Sequence, residues 1–454
     1  MPEKRPNIIL TIADDQRGSA LGCAGREPVQ TPALDALAAR GVRFAQAQHF
    51  GSCHGAVCAP SRAMLMTGVP YFQLDPSLLS ATYPPADRVA HIPPTLGEKL
   101  RRKGYDTFAT GKWHNGVHSF HPSFSGGANI FFGGMADHWF TPVHDFDSSG
   151  KYPPEARRQA DGFSTEVFAR SAIDYIRSRR GSDEPFFCYC AFTAPHDPRT
   201  PPDAWRKKYD PSRMPLPANI VPAHFNNSPL GAKPPEGSVS LDERDELLLG
   251  IPRDVREIER ALAEYYGMIS HMDEWIGRIH QAVEEIGGTE NTLIIHTADH
   301  GLAVGQHGLL GKQNLYQHSL NIPLLLAGPG IPRGAVSDAL CYQHDLHPTL
   351  MERAGLDSSF APFQSLSPLL EKQPAGRSHI ASAFGHALRS VRDCRYKLIE
   401  SNVNGAKSSL LFDLENDPWE TRNLAGEENS RDVLAGLRRE LAEWRQQVGD
   451  SDNG

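Results

Sequence analysis

Ionisable side chains follow four apolar runs that are widely separated along the chain. Each run has the length and composition of a buried strand, and the residues after it are of types that bind ions or move protons. The runs and the residues after them are 7–12 with Asp14 and Asp15, 105–110 with Lys112 and His114, 185–192 with His196, and 292–297 with Asp299 and His300. Because ligands bind at the carboxyl ends of parallel strands, the four loops together predict one shared site.

Part of this predicted site has the composition of a metal centre. The carboxylates of Asp14, Asp15 and Asp299, with the imidazole of His300, are enough to hold one divalent cation. Oxygen ligands favour Ca²⁺, Mg²⁺ or Mn²⁺, whereas the imidazole also admits softer metals.

Cations and proton carriers accompany the candidate metal ligands. Lys112 and Lys312 suit the outer oxygens of a sulfate or phosphate group, and His114 and His196 are candidates for proton transfer. Taken singly, each has an ordinary alternative, such as a solvated turn or a surface lysine. Their joint occurrence indicates a site for transfer of an anionic group, but these residues include no obvious nucleophile.

A candidate nucleophile lies in the segment Cys58-Ala59-Pro60-Ser61-Arg62, which is followed by Thr67-Gly68. On residue type alone, Cys58 could be a buried free thiol, a zinc ligand together with His54, or a thiol nucleophile paired with a histidine. The segment resembles the signature of type I sulfatases, Cys-x-Pro-Ser-Arg with Thr-Gly five and six residues beyond the arginine. By this resemblance the chain is identified as a formylglycine-dependent sulfatase of the alkaline phosphatase superfamily.

The resemblance covers nearly the whole chain, from Pro6-Asn7-Ile8 through Thr31-Pro32 to residues 411–418. It implies that a maturation enzyme oxidises Cys58 to formylglycine, whose aldehyde hydrates to a geminal diol. One diol hydroxyl would attack the sulfur of a sulfate ester. The other would expel sulfate from the covalent sulfo-enzyme by reforming the aldehyde, so that water need not attack sulfur a second time.

The resemblance also implies a role for each residue of the predicted site. Modified Cys58 would join the four metal ligands, and the family favours Ca²⁺, with Mg²⁺ and Mn²⁺ as alternatives. His300 stands where animal sulfatases usually have asparagine, which leaves the identity of the metal open. Arg62 would orient the diol, and Lys112 and Lys312 would bind the sulfate oxygens. His196, with help from Lys312, would protonate the leaving oxygen. His114 would remove the diol proton, and Asp299 is a candidate base for the attacking hydroxyl.

The alcohol part of the substrate is less well indicated. Trp139 could stack on a sugar ring, or it could simply pack in the protein. Further candidate substrate contacts are His138, His118, His386 and Arg389. Bacterial relatives of this kind often desulfate glycans, so a sulfated carbohydrate is the expected substrate, with choline sulfate or an aryl sulfate as alternatives. Two other classes stay open: a formylglycine-dependent phosphonate monoester hydrolase or phosphodiesterase, and a non-catalytic binder of sulfated glycans.

The elements that must position these residues alternate between short apolar runs and amphipathic stretches, which is typical of an α/β fold with a largely parallel sheet. The resemblance specifies an alkaline phosphatase-like sheet sandwiched by helices. Further predictions are a strand at 322–327, helices at 31–40 and 255–286, and a surface excursion at 197–253 that helps to shape the cleft. Residues 1–360 are predicted to form the catalytic domain, and residues 361–454 a smaller α+β subdomain that completes the cleft, with strands at 379–384, 396–400 and 409–413 and a final helix.

The composition of the 454-residue chain argues against other classes of protein. Its formal net charge of −8 predicts no basic surface for nucleic acid, and no apolar run approaches the roughly 20 residues of a membrane span. No secretory leader is visible, so we expect a cytoplasmic protein, or a periplasmic or secreted one whose leader has been removed. Seven sparse cysteines argue against a disulfide framework. The oligomeric state is not indicated.

The signature makes Cys58 the first residue to test. Cys58→Ala is expected to abolish turnover while leaving the fold intact, because the nucleophile is lost and the side chain changes little in size. Cys58→Ser is expected to do nearly the same unless a serine-type maturation enzyme acts on it. Steady-state kinetics with circular dichroism check both variants, and wild-type activity in either one contradicts the mechanism.

Overall fold

The protein is described here by a computed structural model that covers residues 5–79, 92–221, 243–357, 362–371, 376–403 and 406–451. Its strands are β1 Asn7–Asp14, β2 Val42–Phe44, β3 Ala47–Gln48, β4 Gly51–Ser52, β5 Asp106–Lys112, β6 Gly126–Phe131, β7 Pro142–Val143, β8 Arg158–Gln159, β9 Phe186–Pro195, β10 Thr292–Ala298, β11 Leu324–Ala327, β12 Ala335–Ser337, β13 Cys341–Tyr342, β14 Ile380–Phe384, β15 Leu388–Arg392, β16 Tyr396–Val403 and β17 Ala406–Asp413. Its α-helices are α1 Pro32–Arg40, α2 Cys58–Thr67, α3 Pro76–Leu79, α4 Leu96–Arg102, α5 Gly116–Ser123, α6 Ser164–Ser178, α7 Asp203–Arg206, α8 Val255–Glu285, α9 Gln317–Leu320, α10 Leu346–Arg353, α11 Ser367–Leu370 and α12 Arg431–Val448.

Eight strands form one large sheet in the order β12-β2-β11-β10-β1-β9-β5-β6. Five neighbouring strands, from β10 to β6 in that order, run parallel to one another. The predicted strand at 322–327 forms as β11, but it runs antiparallel to β10 and β2. The connection from β10 to β11 holds only the short α9, and a parallel return usually needs a longer helical crossover. The predicted α/β fold with a mostly parallel sheet is confirmed.

The central strands bring the candidate site residues to one edge of the sheet. Every residue of β9 and β10 is buried, as expected for parallel strands that are covered on both faces. Asp14 ends β1 and Lys112 ends β5, while His196 and Asp299 directly follow β9 and β10. Since these strands are parallel neighbours, the four residues meet at the carboxyl edge.

Long helices cover the strands. The predicted helical stretch at 255–286 forms a single helix, α8, whose buried stripe includes Ile258, Leu262, Ile269 and Ile276. α8 packs against α1, α6 and β9. In the described part of the chain, no helix has the length and apolar composition needed to cross a membrane.

A second sheet forms in the C-terminal part of the chain, in the order β17-β16-β15-β14-β4. Its β4 strand comes from residues 51–52, close in sequence to Cys58, and pairs in parallel with β14. Phe50, Met64 of α2 and Trp444 of α12 belong to one apolar cluster beneath this sheet. The small sheet therefore shares a core with the helix that begins at Cys58. The boundary at residue 360 stays a prediction.

An aspartate on α8 caps the N-terminus of α1. The Asp273 carboxylate accepts hydrogen bonds from the backbone N–H groups of Ala33 at 3.0 Å and Leu34 at 2.8 Å. The N-cap residue of α1, Thr31, makes no side-chain cap of its own. Asp273 therefore satisfies two N–H groups that a helix leaves unpaired at its start.

Asp273→Ala is expected to lower the free energy of unfolding by about 2 kcal/mol, because it leaves two part-buried or buried donors without their acceptor. Urea titration followed by circular dichroism measures the change. Asp174→Ala, at an exposed position on α6, is the matched control and should change the free energy of unfolding by less than about 0.5 kcal/mol. Equal effects of the two substitutions would contradict the capping role.

Candidate active site

Helix α2 carries the candidate nucleophile at its first residue. Cys58 begins the helix, and all ten residues of α2 are buried. Gly68 ends it in the left-handed conformation, with φ of 75°, and its N–H donates to the carbonyl oxygen of Met64. A Cβ at Gly68 would lie 2.6 Å from the His347 ring. The glycine of the signature therefore provides the tight helix end that this buried position requires.

Ser61 and Arg62 of the signature hold a candidate metal ligand in place. The Ser61 hydroxyl donates to the carbonyl oxygen of Asp299 at 2.7 Å, and Arg62 Nε donates to the Asp299 carboxylate at 3.0 Å. Arg62 also donates to the carbonyl oxygen of Lys112 at 2.9 Å. Arg62 thus ties α2 to the ends of β5 and β10. Its predicted contact with a diol stays a prediction.

A glycine bend in β5 brings Lys112 into the site. Gly111 has φ of 84°, and a Cβ there would lie 1.9 Å from the carbonyl oxygen of Ala191 on β9, so a larger residue would clash with the neighbouring strand. Nζ of Lys112 then lies 2.5 Å from the carboxylate of Asp14, and both side chains are fully buried. The bend and the ion pair together fix the lysine.

The sulfur of Cys58 lies beside two basic side chains. Sγ is 3.2 Å from Nδ1 of His114 and 3.3 Å from Nζ of Lys112. Burial by itself raises the pKa of the Cys58 thiol, but the charges of Lys112 and His114 outweigh it and hold that pKa well below its ordinary value. The surroundings therefore stabilise negative charge on the atom that oxidation to formylglycine would replace.

Four of the five candidate metal ligands also converge. Asp14, Cys58, Asp299 and His300 each offer one ligand atom, and these atoms all lie within 4.8 Å of one another. Burial and the neighbouring Asp14 carboxylate raise the pKa of Asp299 to about 6. Among the described residues, one buried oxygen of Asp14 and one of Asp15 have no hydrogen-bond partner. Unpaired buried carboxylate oxygens close to one another fit a site for a cation.

Asp15 connects the remaining two candidate catalytic residues. Nζ of Lys312 lies 2.9 Å from one Asp15 carboxylate oxygen, and Nε2 of His196 lies 3.9 Å from the other. The structure thus brings the whole predicted core set together, although the sequence separates its members by up to about 300 residues. This set comprises Asp14, Asp15, Cys58, Arg62, Lys112, His114, His196, Asp299, His300 and Lys312.

Several residues that contact this set are not among the candidates from the sequence. Asp197 lies 3.3 Å from Nδ1 of His196, Asp245 lies 3.8 Å from Nζ of Lys312, and Arg244 binds both aspartates. Asp197 directly follows the candidate His196, so its position in the sequence is a usable signal. Asp245 and Arg244 lie within the predicted excursion at 197–253, and no sequence pattern distinguished them from its other charged residues.

Two of the predicted substrate contacts are buried and paired within the protein, and their contact with substrate stays a prediction. His138 is fully buried, with Nδ1 2.8 Å from the Ser164 hydroxyl and Nε2 3.0 Å from the carbonyl oxygen of His196, so it supports the His196 backbone. Arg389 is also buried and donates to both oxygens of Asp450, at 2.6 and 2.8 Å. Its guanidinium joins β15 to the chain beyond α12.

The other three predicted substrate contacts are at least partly accessible. His118 on α5 and His386 in the turn between β14 and β15 are exposed. Trp139 is 44% exposed and packs edge-to-face against Phe163. Contact of these three side chains with substrate stays a prediction.

This geometry defines a class of enzyme. The Cys58 thiol, whose pKa is lowered, stands at the start of a helix beside a candidate cation site and two lysines. This arrangement suits attack on an ester of a strong oxyacid, because the cation and the lysines stabilise the negative charge that develops on the transferred oxyanion. The site also lies at the carboxyl edge of a mainly parallel sheet, where open α/β folds bind their ligands. Comparison with known proteins narrows the class to one family.

The chain belongs to the sulfatase family and is a sulfuric ester hydrolase. The family model described as "Sulfatase" matches residues 6–356. A second model, described as "N-sulphoglucosamine sulphohydrolase, C-terminal", matches residues 305–447. The family resemblance of the Cys58 signature is thereby confirmed.

Known proteins resemble the chain along nearly its full length. Choline-sulfatase of Rhizobium meliloti is 29% identical over 95% of this chain and 84% of its own. A protein solved in complex with its substrate D-glucosamine-2-N,6-O-disulfate superposes with a TM-score of 0.79 at 24% identity and covers 99% of each chain. The phosphonate monoester hydrolase of Agrobacterium radiobacter superposes with a TM-score of 0.75 at 25% identity, over 98% of this chain and 96% of its own. These likenesses confirm the alkaline phosphatase-like fold.

The converging carboxylates predict a measurable effect of cation removal. Treatment with EDTA is expected to lower the Tm, and Ca²⁺ to restore it, because a cation that binds only the folded state at a hundred times its Kd adds about 2.7 kcal/mol of stability. Differential scanning calorimetry with Ca²⁺, Mg²⁺ and Mn²⁺ compares the three metals.

Asp299→Asn is the control for this experiment, since it removes one ligand charge from the candidate metal site. Its Tm should respond much less to Ca²⁺ than that of the wild type. This site would be ruled out if none of the three cations changes the wild-type Tm. It would also be ruled out if Ca²⁺ raises the Tm of Asp299→Asn as much as that of the wild type.

Proposed function

We propose that the protein hydrolyses a sulfate monoester on a sulfated carbohydrate, with Cys58 matured to formylglycine as its nucleophile. One observation carries the proposal: Sγ of Cys58 lies within hydrogen-bond distance of Lys112 and His114 and in the same cluster as three candidate metal ligands. A maturation enzyme that oxidises Cys58 is the partner that this proposal requires.

One divalent cation would be held by Asp14, Asp15, Asp299 and His300 together with residue 58. Three of the four unmodified ligands are carboxylates, which favours Ca²⁺, with Mg²⁺ and Mn²⁺ as alternatives. When bound, the cation supplies Lewis-acid stabilisation of negative charge on the nucleophile and on the sulfate.

The charge balance of the site suits an anionic substrate. The inner cluster consists of three carboxylates and three basic side chains, all buried: Asp14, Asp15, Asp299, Arg62, Lys112 and Lys312. Their formal charges cancel, so a divalent cation leaves the cluster positive by two. A sulfate monoester carries one negative charge, and its entry still leaves the site net positive.

Lys112 and Lys312 would bind the outer oxygens of the sulfate. Both are held at the site by carboxylates, Lys112 by Asp14 and Lys312 by Asp15. Burial lowers the pKa of Lys312, but Asp15 and Asp245 outweigh it and keep that pKa well above its ordinary value. Burial also lowers the pKa of Lys112, but Asp14 outweighs it and keeps that pKa above its ordinary value. Both lysines therefore stay charged, and they stabilise the charge that the sulfate oxygens gain as the ester bond breaks.

The histidines would carry the protons. Nδ1 of His196 is 2.8 Å from the carbonyl oxygen of Asp197, which can only accept, so Nδ1 carries a hydrogen and Nε2 faces the site. A protonated Nε2 can donate to the leaving oxygen. His114, whose Nδ1 contacts residue 58, is positioned to accept a proton from the nucleophile.

A sulfated sugar is the substrate we favour. The chain resembles a protein that was solved with a disulfated glucosamine as its substrate, and its C-terminal part matches the sulphoglucosamine sulphohydrolase model. The half-exposed ring of Trp139 suits stacking on a pyranose. Choline sulfate is the alternative that the choline-sulfatase relative suggests.

A second candidate function has a specific basis. Phosphonate monoesters and phosphate diesters also carry one negative charge, so the charge balance of the inner cluster admits them. The likeness to a phosphonate monoester hydrolase points the same way.

Side-by-side rates distinguish these functions. We expect kcat/KM for 4-nitrophenyl sulfate to exceed that for bis(4-nitrophenyl) phosphate and 4-nitrophenyl phenylphosphonate, because the leaving group is the same and only the transferred group differs. Cys58→Ala protein is the blank for all three substrates. A diester or phosphonate that is turned over far faster than the sulfate would favour the second candidate function.

A further inference from the structure

An arginine outside the family signature joins the two sides of the site. The Arg244 guanidinium binds the Asp197 carboxylate through two nitrogens, one of them 3.0 Å from Oδ1. The nitrogen that contacts Oδ1 also lies 2.9 Å from Oδ1 of Asp245. Arg244 is half-exposed, whereas both aspartates are buried.

Each of these aspartates contacts a residue that we assign to catalysis. Asp197 accepts the Nδ1 hydrogen of His196 through its carbonyl oxygen, and its carboxylate lies 3.3 Å from the same nitrogen. Asp245 lies 3.8 Å from Nζ of Lys312 and accepts from Nε2 of Gln313 at 2.9 Å. Arg244 is therefore linked to His196 through Asp197 and to Lys312 through Asp245.

The two catalytic residues follow different strands. His196 follows β9 and Lys312 lies in the loop after β10. Without Arg244, the buried carboxylates of Asp197 and Asp245 would repel each other across the gap between these loops. Burial alone raises the pKa of Asp197, but the hydrogen bonds from Arg244 and the charge of His196 outweigh it and keep that pKa below its ordinary value.

The segment that carries Arg244 has an independent attachment to the Lys312 loop. The Glu246 carboxylate accepts from the backbone N–H groups of Leu310 and Gly311 at 2.8–3.1 Å. Arg253 in turn binds Glu246 at 2.5 Å. A change at Arg244 should therefore leave this segment docked and alter only the link to Asp197.

We propose that Arg244 is a positioning residue for protonation of the leaving oxygen: it holds His196 at a fixed distance from Lys312. This inference rests on the proposed function, because it takes His196 as the proton donor. No contact of Arg244 with the sulfate is required.

The proposal predicts a dependence on the leaving group. A weakly basic leaving group such as 4-nitrophenolate departs with little protonation, whereas the more basic 4-methoxyphenolate needs the proton donor in place. If His196 is no longer held in position, hydrolysis of 4-methoxyphenyl sulfate should therefore slow more than hydrolysis of 4-nitrophenyl sulfate. A general loss of folded protein would slow both equally.

The test compares Arg244→Gln and Arg244→Lys with wild type on these two sulfate esters. For Arg244→Gln we expect kcat/KM for 4-methoxyphenyl sulfate to fall roughly tenfold further than that for 4-nitrophenyl sulfate. In Arg244→Lys the falls of kcat/KM on the two esters should differ less than in Arg244→Gln, because lysine keeps a positive charge between the aspartates. Arg206→Gln removes an exposed arginine that pairs with Asp203 and should leave both rates unchanged.

The Arg244 proposal is overturned if Arg244→Gln leaves both rates unchanged or lowers both by the same factor. It is equally overturned if the extra fall of kcat/KM on 4-methoxyphenyl sulfate, relative to 4-nitrophenyl sulfate, is as large in Arg244→Lys as in Arg244→Gln. The wild-type rates test the proposed function separately. If the wild type turns over only phosphonates, the same pair of leaving groups on phenylphosphonate tests Arg244 in the same way.

Discussion

Burial of opposite charges in contact is the constraint on which this site depends. Lys112 with Asp14, Arg62 with Asp299, and Lys312 with Asp15 form three ion pairs whose side chains are at most 3% exposed. A charge at such depth is tolerated only with a partner, and removal of one partner from a buried pair typically costs about 3–5 kcal/mol. The catalytic residues are thus held in place by the same electrostatics that make them reactive.

The pairing also explains why the site needs so many separate segments. Asp14, Lys112 and Asp299 each stand at the carboxyl end of a different strand, so each ion pair joins two elements. α2 inserts the nucleophile among them, and its buried face packs on the core that the C-terminal sheet shares. The C-terminal part therefore supports the position of Cys58 even though it contributes none of the core site residues.

Much of this arrangement could be predicted from the sequence, because buried parallel strands are continuous apolar runs and the ionisable residues after them must meet. β1, β5, β9, β10 and α8 were predicted to within about three residues at each end. The strand Leu388–Arg392 was not, since its two buried arginines conceal its apolar pattern. The pairing of β4 with β14 depends on contacts between residues more than 300 positions apart, which no local pattern encodes.

The burial of two candidate substrate contacts has the same origin. Arg389 is a candidate substrate contact by its residue type, but its partner Asp450 lies 61 residues further along the chain, and only the fold brings them together. His138 belongs to a segment whose aromatic residues could line a sugar site, whereas its ring is buried behind His196 and both ring nitrogens have hydrogen-bond partners. A polar residue in such a loop can support the catalytic backbone or face the substrate, and the local sequence does not distinguish the two.

The most direct test of the central claim is the relation between modification of Cys58 and activity. Preparations made with different amounts of a formylglycine-generating maturation enzyme would be analysed by mass spectrometry of the peptide that contains residue 58. We predict that kcat per total protein rises in proportion to the fraction of Cys58 converted and extrapolates to zero when no Cys58 is converted. Full sulfate ester hydrolysis by protein in which Cys58 remains a thiol would contradict the account.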